Sequence, residues 1–188
     1  MTGLSIQPSE LSSKRLELLR EVVPNVRRLA ALVNTHVVDA QEGVAIRTAS
    51  AKLNIDANVL DIQTADDIEA TMATLAGQTD ALYVYSEPLT NANKDKIIKA
   101  ATSAKIPTIF GFREFVDAGG LISYGPNFSD LFARAADFTD KILRGASPSD
   151  MPIEQPVKYD LIINLRTAKA LGLSISEAVL TRADEVIE

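Results

Sequence analysis

The chain has 188 residues and a formal net charge of −6, from 19 Lys+Arg against 25 Asp+Glu, which excludes a basic nucleic-acid surface or a patch for anionic membranes. It has no cysteine and one histidine, His36, so disulfides, thiol chemistry and cysteine zinc sites are excluded, and little room is left for a histidine metal cluster or a catalytic triad. Hydrophobic residues at 46% and charged residues at 23% describe a globular chain with a core, the size of one domain or of one domain with an appendage.

Short apolar runs alternate with amphipathic stretches, the pattern of repeated β-α units around a parallel sheet. Residues 12–23 place Leu16, Leu19 and Val23 on one helical face, with Pro24 as the stop. Residues 29–33 read as a buried strand ending at Asn34, and 38–53 as a helix with Ala45, Ala49 and Leu53 inward. A second strand spans 57–62. Thr64, with Asp67 three residues on, caps a helix whose stripe is Ile68, Met72 and Leu75, and Gly77 is the expected C-cap. The third strand, 81–85, runs into Ser86, Glu87 and Pro88, where proline blocks continuation. A helix over 91–105, a short strand at 108–110, a short helix over 112–118 ended by Gly119 and Gly120, and a strand at 121–124 closed by Gly125 and Pro126 follow. Five strands with right-handed crossovers predict an α/β fold with a doubly wound parallel sheet.

The remainder, 127–188, differs in kind from 1–126. Asn127 with Asp130 opens a helix down to Leu143, ended at Gly145, and Leu131, Phe132, Ala135, Phe138, Ile142 and Leu143 give it a wide apolar stripe that needs a partner. A Ser/Pro-rich link at 146–156 leads to a strand at 159–164. Two short helices close the chain, split near Gly172, with Ser174 and Glu177 as a capping box.

Parallel sheets take ligands beyond the carboxyl ends of their strands, so the loops after Val33, Ile62, Tyr85, Phe110 and Tyr124 are the ones to inspect. They contain neither G-x-G-x-x-G nor a Walker A pattern, and the chain has no G-x-S-x-G or H-E-x-x-H. No cofactor is implied, and no base or nucleophile stands with partners for catalysis. What the loops offer is recognition chemistry. Asn34 and Thr35 supply amide and hydroxyl groups, Ser86 and Glu87 do so after the third strand, and Glu87 suits an ammonium group. Gly111 permits close backbone approach, the aromatics Phe110 and Phe112 suit stacking, and Arg113, beside Glu114, suits a carboxylate. This set fits a small zwitterion or polar organic molecule. The structural alternatives are a surface pair or helix cap for Arg113 and Glu114, a turn role for Glu87, and core packing for Phe110 and Phe112. Tyr83 and Tyr85 point to one face and into packing, and His36 reads as a solvated loop residue.

The stretch Ile106-Pro-Thr-Ile-Phe-Gly-Phe-Arg-Glu-Phe-Val-Asp-Ala-Gly-Gly-Leu-Ile-Ser-Tyr-Gly-Pro126 resembles the ABC-transporter substrate-binding protein family related to tryptophan and tyrosine binders. So do Leu11-Ser-Ser-Lys-Arg-Leu-Glu-Leu-Leu19, Asp140-Lys-Ile-Leu-Arg-Gly145 and Asn164-Leu-Arg-Thr-Ala-Lys-Ala-Leu-Gly172. The resemblance implies a type I periplasmic-binding fold, in which two α/β lobes close on a ligand that is presented to a membrane permease. It implies cleft positions at Asn34, Thr35, Ser86, Glu87 and around Phe110 to Glu114. It also implies an extracytoplasmic site of action, although the first residues lack the n- and h-regions of a signal peptide. On this reading, 1–126 is the second lobe, and 127–188 is a return helix, link, final strand and C-terminal helices, without most of the first lobe. The 127–143 stripe would then have no partner in its own chain and would hold a homo-oligomer together. The alternative function is a non-transport sensor or interaction module that keeps the fold.

Overall fold

Successive residues of a strand face opposite sides of its sheet, so a strand that is apolar throughout must be covered on both faces. After the exposed Arg28, the strand Arg28–Val33 is of this kind: Leu29, Ala31 and Val33 join one buried layer, and Ala30 and Leu32 join the other. The computed structural model describes residues 2–6, 8–37 and 40–188. In chain order, β1 (Gly3–Leu4) is followed by α1 (Pro8–Val22), β2 (Arg28–Val33), α2 (Ala40–Lys52), β3 (Asp56–Asp61), α3 (Ala65–Thr74) and β4 (Ala81–Val84). Next come α4 (Pro88–Ala92), α5 (Lys94–Ser103), β5 (Thr108–Phe110), α6 (Arg113–Asp117), β6 (Ile122–Pro126) and α7 (Phe128–Leu143). The chain ends with β7 (Ile153–Glu154), β8 (Tyr159–Asn164), α8 (Leu165–Ala170), α9 (Glu177–Leu180) and β9 (Glu185–Ile187).

The main sheet has seven strands in the order β3-β2-β4-β5-β6-β8-β9, parallel except where β6 meets β8. The doubly wound α/β architecture is as expected, with the return strand β8 and the unpredicted β9 extending the sheet. Helix α1 lays Leu16 and Leu19, and α2 lays Ile46, on the Leu29, Ala31 and Tyr83 side. Ile68 and Met72 of α3, Ile97 and Ile98 of α5, and Phe115 of α6 cover Leu32, Leu82 and Val84 on the other. Chain order reverses at β2, which has β3 on one side and β4 on the other, and this opens a crevice at the carboxyl ends of β2 and β4.

Local chemistry accounts for the element ends. The Thr64–Asp67 capping box forms as expected. Pro88 starts a helix rather than merely stopping a strand, because at the first helical position its missing N–H costs nothing. The helix expected over 91–105 is two, broken at Asn93, which caps the end of α4 and the start of α5 and donates its side-chain amide to Leu89 O at 2.9 Å. Ser176, not Ser174, is the N-cap of α9. The expected helix start at Val38 lies outside the described residues.

Helix α7 finds partners within its own chain, which corrects the expectation of a wholly unpartnered stripe. Leu131 and Phe138 are buried, the helix packs on β1, and Arg134 pairs with Glu154 of β7, which runs parallel to β1 in a separate two-stranded sheet. The rest of the stripe stays open: Phe132 is 72% exposed and Leu143 is 81% exposed.

At the opposite edge, Asp80 ties β2 to β4. One carboxylate oxygen accepts from the backbone N–H groups of Arg27 and Arg28 at 3.0 and 2.9 Å, and the other from Arg28 Nη2 at 2.8 Å. The Arg28 hydrogen bond leads in holding the Asp80 carboxyl below its usual range. A lowered folded-state value contributes stability above the ordinary carboxylate pKa of about 4 and loses it as pH falls through the folded value. Asp80→Asn should therefore lower the melting temperature at neutral pH and flatten its decline below about pH 4. Thermal melts by circular dichroism from neutral to acid pH measure this; an unchanged acid limb would contradict it.

Candidate ligand-binding site

Register brings the candidate loops to one rim. Leu32 pairs with Val84, Val84 with Phe110, and Phe110 with Ser123, so β2, β4, β5 and β6 cross one row in step. The residues that follow, Asn34, Ser86 and Gly111 among them, leave the sheet at the same edge, where β6 runs on through Gly125 beside β8.

Two grooves lie along that edge. One, of about 540 Å³, is lined by Val37, Tyr85, Ser86, Glu87, Asn91 and Phe112, and sits at the switch point. The other, of about 300 Å³, takes in Gly111, Arg113, Glu114, Asn127, Phe128 and Asp160. Phe112 from the first groove meets Phe128 of the second edge-to-face, with ring centroids 4.9 Å apart and planes at 78°, so the paired rings stand between them. A hollow of about 530 Å³ on the outer side of α1 and α2 is lined by Ser13, Gln41, Val44, Ala45, Thr48, Ala49 and Lys52 and lies away from the strand ends.

The expected residues fare differently at this rim. Ser86 lines the first groove, and its Oγ accepts from Gly111 N at 3.0 Å, joining two adjacent loops. Asn34 is buried, and its Oδ1 accepts from His36 N at 3.1 Å. Thr35 turns aside to Asp61, donating from N at 2.9 Å and from Oγ1 at 2.8 Å to one carboxylate oxygen. Glu87 is buried, and its carboxylate caps α4, accepting from Leu89 N at 3.0 Å and Thr90 N at 2.9 Å. Glu114 lies in the first turn of α6 and lines the second groove.

Two assignments need correction. Phe110 is fully buried and stacks on Phe115 at 4.5 Å and 17°, because its side chain points to the helical layer and away from the rim; it offers a ligand nothing. Arg113 does hold a carboxylate in its fork, but that carboxylate is the chain's own Glu185: Nη1 and Nη2 donate at 2.5 and 2.8 Å, while Nε bonds Asp117 at 3.0 Å. Hydrogen bonding to Glu185, with Asp117 behind it, raises the Arg113 pKa further above its ordinary value. The surface-pair alternative was right in kind, with Glu185 and Asp117 in place of Glu114.

Sequence periodicity missed Tyr85, Asn91, Asn127 and Asp160. Tyr85 packs against the layer that holds Tyr83, as its alternation predicts, and, standing just past the strand end, it also lines the first groove. Burial, reinforced by the negative charge of Glu42, pushes its phenol up to about 12. Asn91, expected as the first residue of the 91–105 helix, sits instead near the end of the short helix that Pro88 starts. Asp160 enters from β8, and its Oδ2 accepts from Asn127 Nδ2 at 2.6 Å; only the antiparallel pairing of β8 on β6 brings them together. Among the described residues, no three of His, Asp or Glu converge as a metal cage, and no helix is long and apolar enough to cross a membrane.

A doubly wound sheet with a grooved carboxyl edge, a switch-point crevice and a return strand antiparallel to its last parallel member defines a lobe of the type I periplasmic-binding kind. The family model described as ABC transporter substrate binding protein matches residues 1–187, and the chain belongs to that family. It is 27% identical over 161 residues to a tyrosine-binding protein of Clostridioides difficile (strain R20291), an alignment that covers 85% of this chain and 47% of that protein. The chain thus spans about half the length of this curated relative. Among solved structures, a conserved domain protein from Vibrio cholerae matches 98% of this chain and 62% of its own at a TM-score of 0.89 and 26% identity. An ABC domain in complex with L-Trp from Streptococcus pneumoniae matches 99% of this chain and 64% of its own at a TM-score of 0.86 and 24% identity, a likeness of fold.

Proposed function

We propose that this chain is the ligand-contacting lobe of an ABC-transporter substrate-binding protein that takes a small organic solute, an amino acid and aromatic ones foremost, at the carboxyl edge of its sheet. The observation that carries the reading is the groove of about 540 Å³ at the switch point, where the apolar walls Val37, Tyr85 and Phe112 meet the polar groups of Ser86 and Asn91. The tyrosine-binding relative supports the ligand class. Ser86, Gly111 and Glu114 keep their places in the site, with Asn34 and Thr35 flanking it, Glu87 shaping its helix, and Tyr85, Asn91 and Phe112 added. Residues 1–126, with the strands returned from 127–188, make up the second lobe. A facing lobe would close over the ligand, an ABC permease would receive it, and the site of action would lie outside the cytoplasmic membrane.

Titration calorimetry with L-tyrosine and L-tryptophan tests this. Heat is expected with at least one of them, and Phe112→Ala should weaken binding about tenfold, the loss of one aromatic contact of about 1.4 kcal/mol. No heat with either amino acid, in protein whose circular dichroism is native, would remove the ligand claim and leave the fold intact. The exposed Phe132 and Leu143 of α7 support self-association, and light scattering at micromolar concentration should give at least a dimer. A monomer there would count against it.

A second reading, the sensor or interaction module, draws support from polar groups already engaged within the chain: Thr35 on Asp61, Glu87 on α4 and Arg113 on Glu185. Permease and ATPase genes beside this one would favour transport.

A further inference from the structure

Directly beneath the rim lies a buried polar cluster whose residues line none of the three hollows described above. Ser12 and Arg15 come from the first half of α1, Glu42 from the first turn of α2, and Tyr83 from β4, and none is more than 3% exposed. The Tyr83 hydroxyl is the hub. It accepts from Arg15 Nη1 at 3.0 Å, lies 3.1 Å from Ser12 Oγ, and donates to Glu42 Oε1 at 3.5 Å, while Ser12 also bonds that oxygen. Glu42 thus supplies the charge that opposes Arg15 from the far side of a tyrosine hydroxyl. Burying a guanidinium in this way is costly, and such a group is retained where its fixed fork of donors holds a geometry.

The other two arms of Arg15 reach the strand ends. Its Nε donates to Tyr124 O near the end of β6 at 2.8 Å. Its Nη2 lies 2.9 Å, and its Cζ 3.1 Å, from the point a Cβ on Gly111 would occupy. The same point is 3.0 Å from Ser86 Oγ, which accepts from Gly111 N. Gly111 in turn is clasped from β6: a Cβ on Gly125 would sit 1.7 Å from Gly111 O. The backbone of Gly111 is therefore sandwiched between the Arg15 guanidinium, the Ser86 hydroxyl and Gly125. Its φ lies outside the left-handed region, so occupied space, and not conformation, makes it glycine.

We propose that Arg15 is a positioning residue for the ligand site: its fork braces the ends of β4, β5 and β6 at once and so sets where Ser86 and Phe112 stand at the rim. It touches no ligand itself, being 3% exposed. The inference rests on the proposed site for its bearing on binding, and on the geometry alone for the bracing.

The test uses the whole chain and three variants, Arg15→Lys, Gly111→Ala and the pair together. Arg15→Lys keeps a cation and removes the fork. In the ligand-free protein, amide hydrogen exchange at Gly111, Phe112 and Gly125 should rise about tenfold in Arg15→Lys relative to the β2 core amides. L-tyrosine affinity by calorimetry should fall about tenfold in each single variant. In the Arg15→Lys background, adding Gly111→Ala should cost less than about threefold, because the guanidinium atoms the new methyl would meet are gone and only Ser86 Oγ remains beside it. Unchanged exchange at the three amides would overturn the proposal, as would Gly111→Ala costing the same in both backgrounds. If the wild-type chain gives no heat with L-tyrosine or L-tryptophan, the proposed ligand falls and the exchange comparison alone decides the bracing. Should Arg15→Lys fail to fold, exchange in Gly111→Ala decides, since a methyl pressing on Arg15 and Ser86 must loosen Phe112 and Gly125 if the three are coupled.

Discussion

Phe110→Ala should cost about 3–5 kcal/mol of folding stability, the range for removing a large aromatic from a core. At roughly 2–4 °C per kcal/mol for a chain of this size, that lowers the melting temperature by about 6 to 20 °C. The ring is fully enclosed, stacked on Phe115, and shares its layer with Leu82, Val84 and Ile97. Phe112, two residues on, is only half-buried and stands at the rim against Phe128. Phe112→Ala should therefore cost far less stability and instead reduce L-tyrosine affinity. Thermal melts and calorimetry on the two variants separate a core aromatic from a site aromatic. If Phe110→Ala melts within about 2 °C of wild type, the core assignment is wrong.

Gly125→Ala should be more damaging than its single methyl suggests. The new Cβ would lie 1.7 Å from Gly111 O, a backbone atom that no side-chain rotation can move. Relief requires β6 to move away from the loop after β5, breaking the floor of the rim, so the cost should reach or exceed the ~3 kcal/mol upper range for overpacking. Gly43→Ala is the matched control. Its Cβ would meet Arg47 Nη1 at 3.5 Å and Val59 at 3.7 Å, ordinary contacts, inside α2. Alanine there should stabilise by about 0.5–1 kcal/mol through helix propensity. Chemical denaturation of both variants gives the comparison, and a loss below about 1 kcal/mol for Gly125→Ala would show that the strands separate easily.

The rim follows from the strand pattern, because strand ends are local: β5 and β8 match the expected spans residue for residue, and the caps at Thr64 and Asn127 form within four residues of sequence. The strands β1 and β7 have two residues each, too few to carry a period, and β9 has three. They exist because a distant segment supplies their pairing, as Glu154 does in lying opposite Leu4 and accepting from Ser5 N at 2.8 Å, and as Asn164 does opposite Ile187.

What the sequence by itself determined is the alternation of buried strands and amphipathic helices, hence the layered sheet and the edge at which polar loops gather; the causes are side-chain period and local capping, which act over a few residues. Which of those polar groups are spent inside the protein was decided only by the tertiary structure. Arg113 reaches Glu185 across 72 residues of chain, and Arg15 reaches Tyr124 across 109, contacts set by sheet order and helix packing. A hydrogen bond of this kind leaves no mark on the residues beside it in sequence, so the fork that faced a ligand on paper faces a neighbouring strand in the fold, and the arginine beneath the rim came to light only once the strands were side by side.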